Sequence, residues 1–182
     1  MNKLHMQKAI STCRAGGVIA YPTEAVFGLG CIPIYEHSVR RILRLKRRSI
    51  RKGLILVASE TNQLEEFVDF SKIKNLKTVF DSWPGPITWL IPSRQTTPFW
   101  LTGEHKTLAV RVSSHNLIKS LCTDLGPIVS TSANMSGKKN ILEQNSFIEI
   151  FSETVDYFVE GNLGNYDKPS IIINMNTGER LR

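Results

Sequence analysis

The sequence predicts an α/β protein: one domain, 1–182, carrying a twisted, open, mixed sheet flanked by helices. Three observations lead there. Short apolar runs such as Val18–Tyr21, Leu54–Ala58 and Leu108–Val112 read as buried strands, and they alternate with stretches of helical periodicity. A chain of 182 residues, 41% hydrophobic and 21% charged, suits one sizeable core. The turn signal Asn176-Thr177-Gly178 before a short terminal strand demands an antiparallel pair, so the sheet is mixed. No internal repeat or linker divides the chain.

The elements follow in order. Met6, Ala9, Ile10 and Cys13 recur at helical spacing and Gly16-Gly17 offers the stop. Val18-Ile19-Ala20-Tyr21 reads as a strand ending at Pro22. A second helix carries Val39, Ile42, Leu43 and Lys46 on one face, and strand Leu54–Ala58 follows. Thr61 is positioned to cap a helix holding Leu64, Phe67 and Val68. Another helical stretch holds Ile73, Leu76, Val79 and Phe80. Trp83-Pro84-Gly85-Pro86 breaks it, and Ile87–Ile91 and Leu108–Val112 read as strands around a polar loop. Leu117, Ile118, Leu121, Cys122 and Leu125 form a helix stripe, stopped by Gly126-Pro127. Ile128-Val129-Ser130 is a strand tip. A helix with Phe147, Ile148 and Phe151 is expected next, then strands near Tyr157–Val159 and Ser170–Ile173.

Charge is concentrated. Eight basic residues lie between Arg40 and Lys52 (Arg40, Arg41, Arg44, Lys46, Arg47, Arg48, Arg51, Lys52), and no Asp or Glu occurs from His37 to Ser59. The net charge is +7; without this block the remaining 15 basic and 16 acidic residues nearly cancel. Like charges at i,i+4 repel by ~0.2–0.5 kcal/mol per pair. Such a block is either a solvated helix face or a site for phosphate, in ATP or in RNA. The three cysteines are odd in number and widely spaced, which argues against a disulfide scaffold or zinc ribbon. No apolar run reaches membrane-spanning length and the N-terminus lacks a signal-peptide core, so a cytoplasmic protein is expected. The sequon at Asn134 would then carry no glycan. His5, His37, His105 and His115 share no metal-ligand spacing.

Three motifs carry candidate chemistry. Pro22-Thr23-Glu24-Ala25-Val26-Phe27-Gly28-Leu29-Gly30 leaves a strand through proline and ends in G-x-G. A third dinucleotide-fold glycine would fall at Pro33, so that fingerprint fails. The segment reads as a strand-to-loop turn, or as a device placing the Thr23 hydroxyl at a strand end, where open α/β sheets bind ligands. Ser130-Thr131-Ser132-Ala133-Asn134-Met135-Ser136-Gly137 offers hydroxyls and an amide directly after a strand. It is not a phosphate-binding Walker loop, since Ser132 stands where glycine is required and Lys139 follows the lysine. Arg111, inside Leu108-Ala109-Val110-Arg111-Val112, is a charge within an apolar strand: either a structural ion pair or a grip on a carboxylate or phosphate.

Taken together, the PTEAVFGLG segment, Lys46-Arg47-Arg48 with Lys52-Gly53-Leu54-Ile55-Leu56, WPGPIT, LAVRV and STSAN-x-SG resemble the YrdC/Sua5 family over essentially the whole chain. Trp100-Leu101-Thr102-Gly103 also fits its short bacterial form, and a chain ending at Arg182 would lack the additional C-terminal domain of longer members. The resemblance implies a YrdC-like fold with a basic concave face. It also implies synthesis of L-threonylcarbamoyladenylate from L-threonine, bicarbonate and ATP, with release of pyrophosphate. The product would feed t6A modification at position 37 of tRNAs reading ANN codons, completed by partner proteins. By the same resemblance Lys46, Arg48, Lys52, Ser132, Asn134 and Arg182 contact ATP. Thr23, Arg111, Ser130 and Ser170 contact threonine, with Arg111 suited to its carboxylate. Ser49 stands where the family usually has proline.

The inventory suits such chemistry, because a carbamate attacking the α-phosphorus needs positioning and charge neutralisation rather than an enzyme nucleophile. No Ser-His-Asp or Cys-His constellation supplies one, and no catalytic residue is assigned. Mg2+ is expected through the ATP phosphates, since no carboxylate cluster marks a protein metal site. Two alternatives stand. The block 40–52 could serve a double-stranded RNA or tRNA-binding module. A different carbamoyl-adenylate chemistry, as in hydrogenase maturation proteins, would bring acylphosphatase and zinc-finger modules that this sequence lacks.

Overall fold

Among the described residues eight strands form one mixed sheet, in the order β7 (Tyr157–Phe158), β1 (Ile19–Pro22), β2 (Phe27–Cys31), β6 (Ile128–Ser132), β3 (Ile55–Ala58), β5 (Thr107–Val112), β4 (Ile87–Pro92) and β8 (Ile171–Asn174). The computed structural model describes residues 3–134, 151, 154–164, 166 and 169–182. The expected helix with Phe147 and Ile148, and the motif residues Met135, Ser136 and Gly137, lie outside the described residues. Helix α1 (Lys3–Arg14) leads into β1 (Ile19–Pro22), which pairs antiparallel with β2 (Phe27–Cys31) and parallel with β7 (Tyr157–Phe158). β6 (Ile128–Ser132) lies between β2 and β3 (Ile55–Ala58), antiparallel to both. β3 then pairs parallel with β5 (Thr107–Val112), β5 antiparallel with β4 (Ile87–Pro92), and β4 parallel with β8 (Ile171–Asn174). An antiparallel bridge from Ile173 to Arg180 closes the terminal turn.

Side chains alternate across the sheet and divide the core in two. Ile19, Tyr21, Val57 and Ile128 pack with Met6, Ala9 and Cys13 of α1, and with Leu117, Ile118, Leu121 and Cys122 of α5 (Asn116–Leu125). Ala20, Leu29, Leu56 and Val129 point the other way. There they meet Val39, Ile42 and Leu43 of α2 (Glu36–Leu45), Val79 of α3 (Leu76–Asp81) and Leu101 of α4 (Phe99–Thr102).

Several local expectations are corrected. Phe27–Cys31 is a strand, not a strand-to-loop turn. Its glycines stand over the Tyr21 ring; a Cβ on Gly30 would lie 2.8 Å from both a Tyr21 ring carbon and the Val129 carbonyl oxygen. Thr61 does not cap a helix: Thr61–Leu64 is a single 3-10 turn entered from Glu60 without a side-chain cap. Helix α3 begins at Leu76 behind Asn75, whose side chain accepts from Thr78 N, so Ile73 falls outside it. The loop between β4 and β5 holds α4, too short for periodicity to register.

Candidate functional site

Helices α1 and α5 cover one face of the sheet only in part. The uncovered part forms the floor of a cleft of about 430 Å³. Sheet register builds that floor: Ser130 lies beside Ile55, Ile55 beside Ala109, Ala109 beside Leu90, with Arg111 beside Val57 in the next row. All line the cleft. Thr23 does follow a strand end, but most of the site lies on the sheet face rather than beyond its edge.

The ten residues singled out from sequence all line this one cleft. Lys46, Arg48 and Lys52 reach it from the turn after α2. The helix ends with Arg47 at φ 49°, while Arg48 N donates to Leu43 O at 2.9 Å and Arg47 N to Arg44 O at 3.0 Å. This left-handed reversal satisfies the helix carbonyls and separates neighbouring side chains. Ser49 holds φ −61°, the value proline would impose, and its hydroxyl accepts from Arg51 N, so the missing ring leaves the backbone path unchanged. Glycines let the turn lie against α4: a Cβ on Gly103, φ 62°, would sit 2.2 Å from Arg51 O.

Lys46 is 4% exposed. Its ammonium donates to Ser132 O, to Asn134 O at 2.8 Å and to Asn134 Oδ1 at 3.3 Å. Ser132 Oγ donates to the same Oδ1 at 2.6 Å. The lysine therefore ties the loop after β6 to the turn after α2, 86 residues apart in sequence. Burial, then the Arg48 charge, pull its pKa down to about 8. Arg48 is held by Gly53 O, at 3.1 Å from Nε and 3.0 Å from Nη2.

Across the cleft, Arg111 forms a buried, two-pronged ion pair with Glu24, at 2.6 Å (Nη1–Oε1) and 3.2 Å (Nη2–Oε2). Ser113 Oγ donates to Glu24 Oε1 at 2.6 Å. Burial works against the Glu24 charge, but the Arg111 charge and the hydrogen bonds from Arg111 and Ser113 outweigh it, holding the carboxyl below its usual range. The ion-pair alternative for Arg111 is thus realised, and the same guanidinium still faces the cleft. Glu24 escaped the sequence reading, although it is the first acidic residue in the chain and follows a buried strand. Arg182 donates to Ser170 O at 3.0 Å and to Ser170 Oγ at 3.1 Å. Burial, then the charges of Arg111 and Arg48, lower its pKa, so cations crowd the hollow.

The basic block does not act as one surface. Arg40 pairs with Glu36 at 2.6 Å and Arg41 with Asp156 at 2.5 Å. Arg51 reaches Glu104 at 3.2 Å. Arg44 and Arg47 line a separate, shallow outer depression, which Arg48 also borders. Helical geometry divides the eight charges, because only residues at the reversal can turn toward the sheet. Among the described residues no group of three or more His, Cys, Asp or Glu could hold a metal. No described helix is long and apolar enough to cross a membrane.

Comparison with known proteins agrees with this geometry. A family model, Sua5_yciO_yrdC, described as telomere recombination, matches residues 11–182. The chain is 46% identical over 175 residues to a threonylcarbamoyl-AMP synthase of Coxiella burnetii (strain RSA 493), covering 96% of this chain and 94% of that one. It is 49% identical over 171 residues to the protein so named in Pseudoalteromonas atlantica, covering 92% and 91%. P. abyssi Sua5 complexed with L-threonine superposes with a TM-score of 0.89 at 28% identity, over 99% of this chain and 53% of that chain. This chain therefore spans about half of that longer protein. E. coli YciO gives a TM-score of 0.81 at 25% identity, covering 95% and 84%. With a cleft assembled from the very segments that carry the resemblance, and a match running through Arg182, the chain belongs to the Sua5/YciO/YrdC family.

Proposed function

We propose that this protein makes L-threonylcarbamoyladenylate from L-threonine, bicarbonate and ATP, releasing pyrophosphate, and so is a nucleotidyltransferase. The observation that carries the reading is the convergence of cations and hydroxyls on one cleft. Lys46, Arg48 and Lys52 with Ser132 and Asn134 line it together with Arg111, Thr23, Ser130 and Ser170. Relatives of nearly equal length bear the name threonylcarbamoyl-AMP synthase, and a structural relative was solved with L-threonine. Both support the assignment. Arg182, bonded to Ser170, feels the charges of both Arg111 and Arg48.

In this reading the cations neutralise the triphosphate while Arg111 and the hydroxyls hold the amino acid. The neutral amine forms a carbamate, either from bicarbonate with loss of water or from CO2 with loss of a proton to solvent. A carbamate oxygen then bonds to the α-phosphorus, the bond from that phosphorus to the β-phosphate bridging oxygen breaks, and pyrophosphate departs with the electron pair. The protein's part is proximity and electrostatic preorganisation, with no covalent intermediate. Mg2+ would arrive with ATP and be held by phosphate oxygens, because Glu24, the carboxylate lining the cleft, is committed to Arg111. The product would supply t6A modification of tRNA, completed by partner proteins in the cytoplasm. The RNA-binding alternative is not favoured, since the likeness to named synthases runs through nearly the whole chain.

The test is pyrophosphate release with threonine, with serine and with no amino acid, at fixed bicarbonate. Release should require amino acid and bicarbonate and be fastest with threonine. Release indifferent to the amino acid would overturn the proposal.

A further inference from the structure

Beneath the cleft lies Tyr21, fully buried on the α1/α5 face of β1. Its hydroxyl lies 2.8 Å from Ser130 Oγ, two strands away. A hydroxyl carries one proton and two acceptor lone pairs, so the direction of this bond decides what Ser130 offers a ligand. The geometry fixes it. Among the described residues the phenol has no other hydrogen-bond partner, and a buried donor left unmade is costly. Burial also pushes the phenol pKa far above its usual range, so its proton stays in place. Tyr21 therefore donates, Ser130 accepts, and the Ser130 proton is left for the cleft.

The neighbouring hydroxyls extend the pattern. Ser170 Oγ accepts from Arg182, a group with no lone pair to offer, and from Thr88 Oγ1 at 2.9 Å. Its proton too is left over. Thr23 is opposite in sense: its Oγ1 donates to Val26 O at 2.7 Å and accepts from Val26 N at 3.4 Å, which leaves it one lone pair and no proton for the cleft. Donors thus stand beside Arg111, and an acceptor stands at Thr23.

We propose that Tyr21 is a positioning residue that orients the Ser130 proton into the cleft, so that Ser130 and Ser170 offer their protons, beside Arg111, to the carboxylate of the amino acid. Thr23 then takes the proton of its amine or hydroxyl. This deepens the threonine reading and rests on it. The pocket discriminates by proton direction: an amino acid presented with its ammonium toward Arg111 would meet the Ser130 and Ser170 protons, while the Glu24 carboxylate is already engaged by Arg111 and Ser113.

The test is a double-mutant cycle with Tyr21→Phe and Ser130→Ala in the full chain, measuring pyrophosphate release against threonine and against ATP. Each single change should raise KM for threonine by about three- to tenfold, the loss of one hydrogen bond, with KM for ATP unmoved. The double variant should be no worse than Ser130→Ala alone, because Tyr21 acts only through that hydroxyl. Single effects that multiply, or a folded Tyr21→Phe protein with unchanged KM, would overturn the proposal. Should Tyr21→Phe fold poorly, Ser130→Ala alone decides, by comparing threonine with L-threoninol as a competitive inhibitor. Ser130→Ala should weaken threonine and spare the carboxylate-free analogue. Equal losses would refute a carboxylate-directed proton. A wild-type protein without threonine dependence would instead sink the function and this proposal together, which separates the two failures.

Discussion

Replacing Glu24 by Gln should destabilise this protein markedly, and the size follows from the cleft. Arg111 and Glu24 side chains are 8% and 9% exposed, so the change keeps the shape but strands a buried guanidinium. Removing one partner of a buried pair costs about 3–5 kcal/mol. The lower end applies here, because the amide oxygen still accepts one arm of Arg111 and the cleft admits water to the other. A loss of about 3 kcal/mol lowers Tm by about 6–12 °C in a chain of this size. Acid should erase the difference. The folded carboxyl titrates below its ordinary value of 4.5, so the unfolded chain binds protons first as pH falls. The ion pair's contribution is full above the unfolded value and is lost as pH drops through the folded one. Thermal unfolding of both proteins at pH 7 and in steps below pH 4.5 checks this. A Tm within about 2 °C of wild type at pH 7, or a gap that does not close in acid, would refute the reasoning.

Other expectations concern the cations around the cleft and the sheet. Lys46, with its pKa near 8, should lose its charge between pH 7 and 9, so KM for ATP should climb over that range. Lys46→Met should show at least about a tenfold higher KM at pH 7, with that rise abolished, as loss of a charge-assisted contact implies; a rise that persists in the variant would point to another group. Arg44→Gln and Arg47→Gln should leave KM for ATP within about twofold, because their charges lie in the outer depression where solvent screens them. A larger change would place them in the phosphate site. Gly30→Ala should cost ~1–3 kcal/mol in chemical denaturation, since its Cβ meets the Tyr21 ring and Val129 O together; wild-type stability would show that β2 is not packed this way.

Much of the molecule is legible locally. The strands at 55–58, 87–92 and 107–112 and the helices at 36–45 and 116–125 follow from apolar periodicity, because each buries a continuous face. β2 was missed because two of its five residues are glycine, which reads as a turn until Tyr21 is placed across them. The 3-10 turn at 61–64 was read as a longer helix, since one turn of apolar residues looks the same in either form.

The chain alone determined its chemical inventory: cations near residue 50, hydroxyls after residue 129, and one arginine within an apolar strand. Tertiary structure decided which of them cooperate. Only three of the eight clustered cations line the cleft, because one left-handed residue at the end of α2 divides them. Glu24 meets Arg111 across 87 residues, and Tyr21 meets Ser130 across 109. Periodicity is a property of neighbours, whereas the direction of a buried proton or the partner of a buried charge depends on what the sheet brings alongside, and no local pattern encodes that.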